Sequence, residues 1–201
     1  MRTLALLICL VATAAVASSQ EPPKAAAASP QEPPKTAVAA PPVNPFSTFN
    51  KEAYGHLKGF LLRSAEKMPE ENYNFKPTES VRSFGQVLGH VADAQYLFCS
   101  IVLGEKNPAP KIEQTKTSKA DLIAALKDAF AYCDKAYDGM TDASATQTVK
   151  LFGGDMAKPV VLTVNNMHTV EHYGNLITYL RLKNIVPPSS EQPVSQPQPK
   201  K

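Results

Sequence analysis

The sequence has very little net charge for a chain of 201 residues. It contains 21 Lys and Arg residues against 18 Asp and Glu residues, which gives a net charge of +3. The lysines are scattered along the chain, whereas a nucleic-acid-binding surface requires a concentrated basic patch. The charge pattern therefore argues against a nucleic-acid partner.

Long apolar runs are also scarce. The sequence has one such run, and it lies at the start of the chain. Residues 1–17 combine a positive charge at Arg2, the run LALLICLVATAAVA and a small-x-small pattern at Ala15-Val16-Ala17. These features are typical of a secretory signal peptide. The run spans about 15 residues, whereas a membrane helix needs roughly 20, so cleavage is favoured over an uncleaved anchor. We therefore expect an exported protein, periplasmic or secreted, with no stable membrane span after cleavage.

Two further segments lack the aromatic and branched residues that build a core. Residues 18–45 consist almost entirely of Pro, Ala, Ser, Gln, Glu and Lys, and residues 189–201 have the same character. Such segments cannot offset the entropy lost on ordering, so we expect a disordered linker and a disordered tail. The folded domain is therefore predicted to span residues 46–188.

Cysteine is rare, with three in the chain. Cys9 lies within the predicted signal peptide, which leaves Cys99 and Cys133, each in a helical stretch. In an oxidising compartment these two can form a disulfide, and two buried thiols are the alternative. The sequence leaves both interpretations open, because it does not give the separation of the two side chains.

Four segments of the folded region carry helical periodicity, with glycines and prolines between them or near their ends. The helices are expected at about 46–67, 83–103, 118–139 and 160–183. Ser83 and Ser118 are the predicted N-caps of the second and third helices, and Gly104 is a predicted helix stop. Around Gly153 and Gly154 two short runs fit either a small hairpin or a loop. The pattern predicts an all-α fold, a four-helix bundle.

Histidine is scarce as well, with four in the chain. His168 and His172 lie four residues apart in the last predicted helix, so the two imidazoles share one helical face. His90 lies on or beside the apolar face of the second helix, whereas His56 in the first helix has less apolar company. Metal sites in bundles use inward side chains of facing helices, and three histidines leave positions open for water or substrate. His90, His168 and His172 are therefore candidate ligands of one divalent metal ion, and ordinary core or surface histidines are the alternative that the spacing leaves open.

The segment from His168 to His172 also spells H-x-x-E-H, the inverted zinc-protease pattern with a glutamate as general base. That mechanism normally requires a carboxylate ligand well downstream. The one acidic residue after His172 is Glu191, in the proline-rich tail, so the protease interpretation is disfavoured. Glu171 and Asp93, each within one turn of a candidate ligand, remain candidate catalytic groups for acid–base chemistry or for support of a ligand.

Two segments that carry the histidines match a recognisable pattern. They are SVRSFGQVLGHVADAQYLF, residues 80–98, and HTVEHYGNLITYLRLKNIVPP, residues 168–188, with Gly174 two residues after its second histidine. Both resemble the DinB family of four-helix metalloproteins, and the resemblance covers about residues 46–188. It implies an antiparallel bundle in which His90 and the pair in the last helix hold a divalent metal ion, usually zinc or nickel.

The resemblance also implies classes of function. The family includes transferases and isomerases that use small thiols such as bacillithiol, mycothiol or glutathione. An exported chain departs from the cytoplasmic setting that keeps such thiols reduced, which counts against dependence on a thiol. We expect a metal-dependent hydrolase or a thiol-type transferase acting on an unknown small-molecule substrate. The alternative is a non-catalytic periplasmic binding or stress-associated module whose metal is structural or absent. Relatives dimerise, and a homodimer is a further expectation.

Overall fold

The computed structural model describes residues 43–191; the predicted signal peptide and nearly all of the predicted linker and tail lie outside this range. The elements described are α1 (Pro45–Lys67), α2 (Phe84–Leu103), α3 (Ile112–Thr115), α4 (Lys119–Asp138), β1 (Thr148–Leu151), β2 (Gly154–Ala157) and α5 (Lys158–Leu182). The four long helices form a bundle, so the predicted fold class is confirmed. Within the described range, none of the helices is both long and apolar enough to span a membrane.

Local side-chain hydrogen bonds define the starts of α2 and α4 at the predicted positions. Ser83 Oγ accepts the backbone N–H of Gln86, and the Gln86 side chain accepts the backbone N–H of Ser83 in return. Ser118 Oγ accepts the backbone N–H of Asp121 at the start of α4. Gly104 ends α2 with a φ of 74°, a left-handed conformation that favours glycine. These caps explain why the helix boundaries could be read locally.

The bundle contains two parallel pairs of helices. α1 and α2 each pack against both α4 and α5. Near the start of α1, Asn50 donates to Thr163 near the start of α5. At the start of α2, Gly85 lies against Leu122 at the start of α4. The members of each pair therefore run in the same direction.

The two pairs run antiparallel to each other. The hydroxyl of Tyr179, near the end of α5, donates to the carbonyl of Arg82, just before α2. Parallel neighbours cannot be joined by a short turn, so the chain between α2 and α4 returns along the length of the bundle. This crossover, residues 104–118, contains the short helix α3, which the sequence did not reveal.

The crossover approaches α2 very closely at Gly89. A Cβ atom on Gly89 would lie 2.7 Å from Cα of Glu113 and 3.0 Å from its backbone nitrogen. The Asp93 carboxylate accepts the backbone N–H groups of Ile112 at 2.7 Å and of Glu113 at 2.9 Å. These contacts attach the start of α3 to the middle of α2.

The buried face of α1 differs from the predicted one. The spacing of apolar residues in α1 predicts a buried stripe that contains Phe49, Ala53 and Leu61, but Phe49 is 70% exposed. Tyr54 is buried in their place, and its hydroxyl donates to the carbonyl of Phe130 on α4 at 2.7 Å. The prediction was wrong because the amphipathic tyrosine was not counted among the core residues.

A disulfide joins Cys99 on α2 to Cys133 on α4, with Cα atoms 5.3 Å apart. Both residues are fully buried. The bond links two parallel helices. Of the two interpretations that the sequence left open, the disulfide is therefore the one found.

The segment around the glycine pair forms a hairpin. β1 and β2 pair antiparallel, with Leu151 opposite Gly154. Phe152 and Gly153 form the two-residue turn with φ angles of 51° and 84°, which is the conformation of a tight hairpin turn. Phe152 is 79% exposed at its tip.

The two helical glycines near the histidines have opposite steric requirements. Gly89→Ala forces a side chain against the backbone of α3, so we expect the free energy of unfolding to fall by about 1–3 kcal/mol. A methyl group at Gly174 would have no neighbouring atom within 4 Å, and Gly174→Ala should raise this free energy by about 1 kcal/mol. Denaturant unfolding followed by circular dichroism measures both. Equal effects of the two substitutions would contradict the close approach at Gly89.

Candidate metal centre

The structure brings His90, His168 and His172 together between two antiparallel helices. The Nε2 atoms of His90 and His168 are 3.1 Å apart, and those of His168 and His172 are 3.0 Å apart. One potential ligand atom from each of the three lies within 4.8 Å of the others. Residues 78 positions apart in the chain therefore meet at one point.

The outer ring nitrogens of two histidines have polar partners. His90 Nδ1 lies 3.2 Å from Oε2 of Glu113, whose other oxygen accepts a hydrogen bond from Arg82 Nε at 2.8 Å. Because a carboxylate only accepts, Nδ1 of His90 donates, and in the neutral imidazole the Nε2 that faces the other histidines then keeps its lone pair. His172 Nδ1 lies 3.5 Å from the amide nitrogen of Asn175.

The pair on α5 is held in the neutral form. Burial, together with the nearby imidazoles of His172 and His90, lowers the pKa of His168 to about 4. Burial, followed by the effect of His90, lowers the pKa of His172 to about 4 as well. Both side chains are therefore unprotonated at neutral pH, which is the form in which imidazole binds a metal.

A chain of buried hydrogen bonds sets the orientation of α5 one turn from His168. Asn165 Nδ2 donates to Gln95 Oε1 at 2.9 Å, and Gln95 Nε2 donates to Thr169 Oγ1 at 2.9 Å. Asn165 also donates to the Tyr137 hydroxyl at 3.2 Å. The network joins α2, α4 and α5 across the bundle centre.

This network of buried polar side chains, the polar layer, extends to the remaining long helix, α1. The Tyr137 hydroxyl lies 2.9 Å from Asn166 Oδ1, and Asn166 Nδ2 donates to Asn50 Oδ1 on α1 at 2.6 Å. Asn165, Gln95 and Thr169 are at most 2% exposed. Buried amides require partners, so these bonds specify how α5 is rotated against its three neighbours.

Cavities border the histidines on more than one side. A cavity of about 360 Å³ is lined by His90 and His168 together with Asp93, Phe98 and Phe152. A polar cavity of about 670 Å³ contains His172. A third, of about 710 Å³, has His168 in its wall. The site is therefore accessible to small molecules.

The two candidate catalytic carboxylates occupy different settings. Both oxygens of Asp93 accept backbone N–H groups at the start of α3, so this residue positions Glu113 beside His90. Glu171 is exposed and lines both the polar cavity and the largest cavity. Within residues 43–191 no hydrogen bond or ion pair to Glu171 is found, which leaves its carboxylate available to a ligand.

Comparison with known proteins places this arrangement in a family. A sequence profile described as the DinB superfamily matches residues 60–176, which is more than half of the chain and includes all three clustered histidines. The chain belongs to the DinB superfamily. It is 24% identical over 120 residues to the uncharacterized protein YjoA of Bacillus subtilis (strain 168), a match that covers 58% of this chain and 77% of YjoA.

Solved structures of DinB-like proteins have the same fold. One from Bacillus cereus ATCC 10987 gives a TM-score of 0.62 at 16% identity, covering 69% of this chain and 93% of that protein. The structure of YjoA from Bacillus subtilis gives 0.56 at 21% identity, covering 73% of this chain and 99% of YjoA. At these identities the likeness supports the fold of this DinB chain and nothing about its chemistry.

Glu113 and Arg82 of this DinB chain were not predicted as site residues from the sequence. Glu113 lies in the stretch GEKNPAPKIEQTKT, which has no periodicity and reads as a polar connection. Its position beside His90 arises from the crossover and from the absence of a side chain at Gly89. No local signal distinguishes Glu113 from a solvated glutamate.

The lowered pKa values predict a pH dependence of stability in the metal-free DinB chain. His168 and His172 have pKa values of about 4 when folded against an ordinary value of 6.5, so the unfolded state binds more protons between these values. The free energy of unfolding should therefore fall as the pH decreases from about 6.5 to about 4. Denaturant titrations at a series of pH values measure this.

A double variant, His168→Gln with His172→Gln, is the control for the pH experiment. Carboxylates also titrate near pH 4, but the variant lacks only the two imidazoles. Its stability should vary less between pH 6.5 and pH 4 than that of the parent chain. An identical slope in both proteins would show that the two histidines are not held neutral by the fold.

Proposed function

We propose that this protein binds a divalent metal ion, zinc or nickel, through Nε2 of His90, His168 and His172. The observation that supports the proposal is the convergence of three Nε2 atoms, 3.0 and 3.1 Å apart, from two helices. Ligand nitrogens around a tetrahedral zinc ion lie roughly 3.3 Å apart, given zinc–nitrogen distances of about 2.0–2.1 Å. Small rotations of the imidazoles suffice to reach that spacing, so the residues fit the ion.

The outer contacts of the site suit the same role. A metal-binding histidine usually donates its other N–H to a carboxylate or carbonyl, which fixes the tautomer and the ring orientation. Glu113 occupies that place on His90, and Arg82 orients the carboxylate. The neutral pair on α5 supplies two further lone pairs.

We propose that the site is catalytic, as a metal-dependent hydrolase or a thiol-type transferase acting on a small molecule. Three histidines leave coordination positions open, and a bound divalent ion supplies Lewis acidity that activates a water or thiol nucleophile. Glu171, at the rim of cavities that contain His168 and His172, is the candidate group to accept or donate a proton there. Asp93 supports the site indirectly, because it binds the backbone at the start of α3 and so positions Glu113 beside His90.

We also propose that the protein acts outside the cytoplasm. The apolar leader in residues 1–17 supports export. The buried disulfide between Cys99 and Cys133 supports an oxidising compartment, because cytosolic thiols are kept reduced.

Metal content is the direct test of the proposed site. The purified chain from residue 18 onward should bind about one equivalent of zinc or nickel, measured by elemental analysis. His168→Ala should abolish binding, whereas His56→Ala, an exposed histidine on α1, should leave it unchanged. Metal at 100 times its Kd should also raise the free energy of unfolding by about 2.7 kcal/mol. A chain that stays metal-free in the presence of supplied zinc and nickel would overturn the proposal.

Removal of the Glu113 carboxylate should weaken metal binding without removing a ligand. We expect Glu113→Gln to raise the Kd for zinc about 10–100-fold, since the tautomer and orientation of His90 are no longer fixed. Competition with a chelator of known affinity measures the Kd. Glu171→Gln is the matched control and should retain the parent Kd. Equal affinities for the parent and Glu113→Gln would show that the carboxylate does not act on His90.

A further inference from the structure

The largest cavity beside the histidines is an apolar groove. Its volume is about 710 Å³, within the range of about 300–1,000 Å³ that small-molecule pockets occupy. The apolar groove is lined by side chains of α1, α2, the hairpin turn and α5: Phe49, Leu57, Phe98, Phe152, Met167 and Val170. His168 lies in its wall, so the groove is continuous with the three-histidine site.

Large apolar side chains are unusually exposed along this groove. Phe49 is 70% exposed, Phe152 79%, Met167 66% and Val170 54%. They come from three separate elements and meet around one concavity. Exposed apolar side chains that gather in this way mark binding surfaces, whereas isolated ones are ordinary.

The polar side chains in the apolar groove are already occupied within the protein. Asn50 donates to the carbonyl of Pro159 and to Thr163, which in turn donates to that carbonyl. Asn166 donates to Asn50 and accepts from Tyr137. Of the lining residues, this leaves His168 and Glu171 as the polar groups that can meet a ligand. The rest of the groove offers only apolar contact.

A second cavity beside the histidines has a different character. The cavity that contains His172 is lined mainly by charged and amide side chains: Lys76, Glu79, Arg82, Gln86, Glu113 and Asn175. A ligand bound at the three histidines can therefore contact polar side chains in one cavity and apolar side chains in the other. This asymmetry points to a ligand with two chemically distinct ends.

We propose that the site takes a small amphipathic ligand with a metal-binding head group at the histidines and an alkyl or acyl chain in the apolar groove. The inference rests on the proposed function, since the head group needs the metal. It adds the substrate class: acyl or alkyl compounds of medium chain length. Burial of each methylene contributes about 0.8 kcal/mol, or roughly a fourfold gain in affinity.

Alkyl hydroxamates of increasing length test the proposal on the zinc-loaded chain. Acetohydroxamate reports on the open metal position alone, whereas octanohydroxamate carries the same head group and a chain that reaches the groove. Calorimetry should give a Kd at least tenfold lower for octanohydroxamate. Phe152→Ser and Met167→Ser should raise the Kd of octanohydroxamate and leave that of acetohydroxamate unchanged. Val186→Ser, another exposed apolar residue, should change neither.

The possible outcomes test the groove and the metal position separately. Binding of acetohydroxamate with no gain from the longer chain would overturn the groove while supporting the metal. Failure of both compounds to bind the zinc-loaded chain would overturn the open metal position itself. Octanohydroxamate affinity that is the same without zinc would show that groove and metal are not one site. Sedimentation showing a dimer that Met167→Ser dissociates would assign the groove to a second copy and overturn the proposal.

Discussion

The rotation of α5 about its own axis is the constraint on which the candidate site depends. Its apolar residues do not define one face, because Met167 and Val170 are exposed while Asn165 and Thr169 are buried. A buried amide N–H without a partner is costly, and the groups that accept from Asn165 Nδ2, Gln95 Oε1 and the Tyr137 hydroxyl, lie on α2 and α4. A shift of one residue turns a helix by about 100° and would carry His168 away from His90. The polar layer therefore fixes which face of α5 is buried, as an apolar stripe does in an ordinary amphipathic helix.

The polar layer and the disulfide lie in the same cross-section of the bundle. Asn165 Nδ2 is 3.8 Å from Cys133 Sγ, and Gln95 precedes Cys99 by one helical turn on α2. Covalent and hydrogen-bonded links thus act together on the helices that present the histidines. This arrangement keeps the three imidazoles in close proximity, and burial together with the neighbouring imidazoles lowers the pKa of His168 and His172.

Local features were predictable from the sequence, and features created by the path of the crossover were not. The spacing of His168 and His172 and the caps at Ser83 and Gly104 involve residues a few positions apart, so the sequence contains the whole interaction. The convergence of His90 with the pair required a family resemblance, since nothing local connects α2 to α5. Glu113 and the exposure of Phe49 depend on how the helices are rotated and connected, which no single-segment pattern encodes.

The crossover supplies the outer partner of His90, whereas the long helices α2 and α5 supply the three histidines. Its helix α3 has one buried residue, Ile112, and otherwise attaches through Asp93 and the bare backbone at Gly89. Substitutions of Glu113 therefore alter the outer partner of His90 while the four-helix core stays packed. In evolutionary terms, the basicity of one ligand can diverge among descendants of this chain without any compensating change in the bundle.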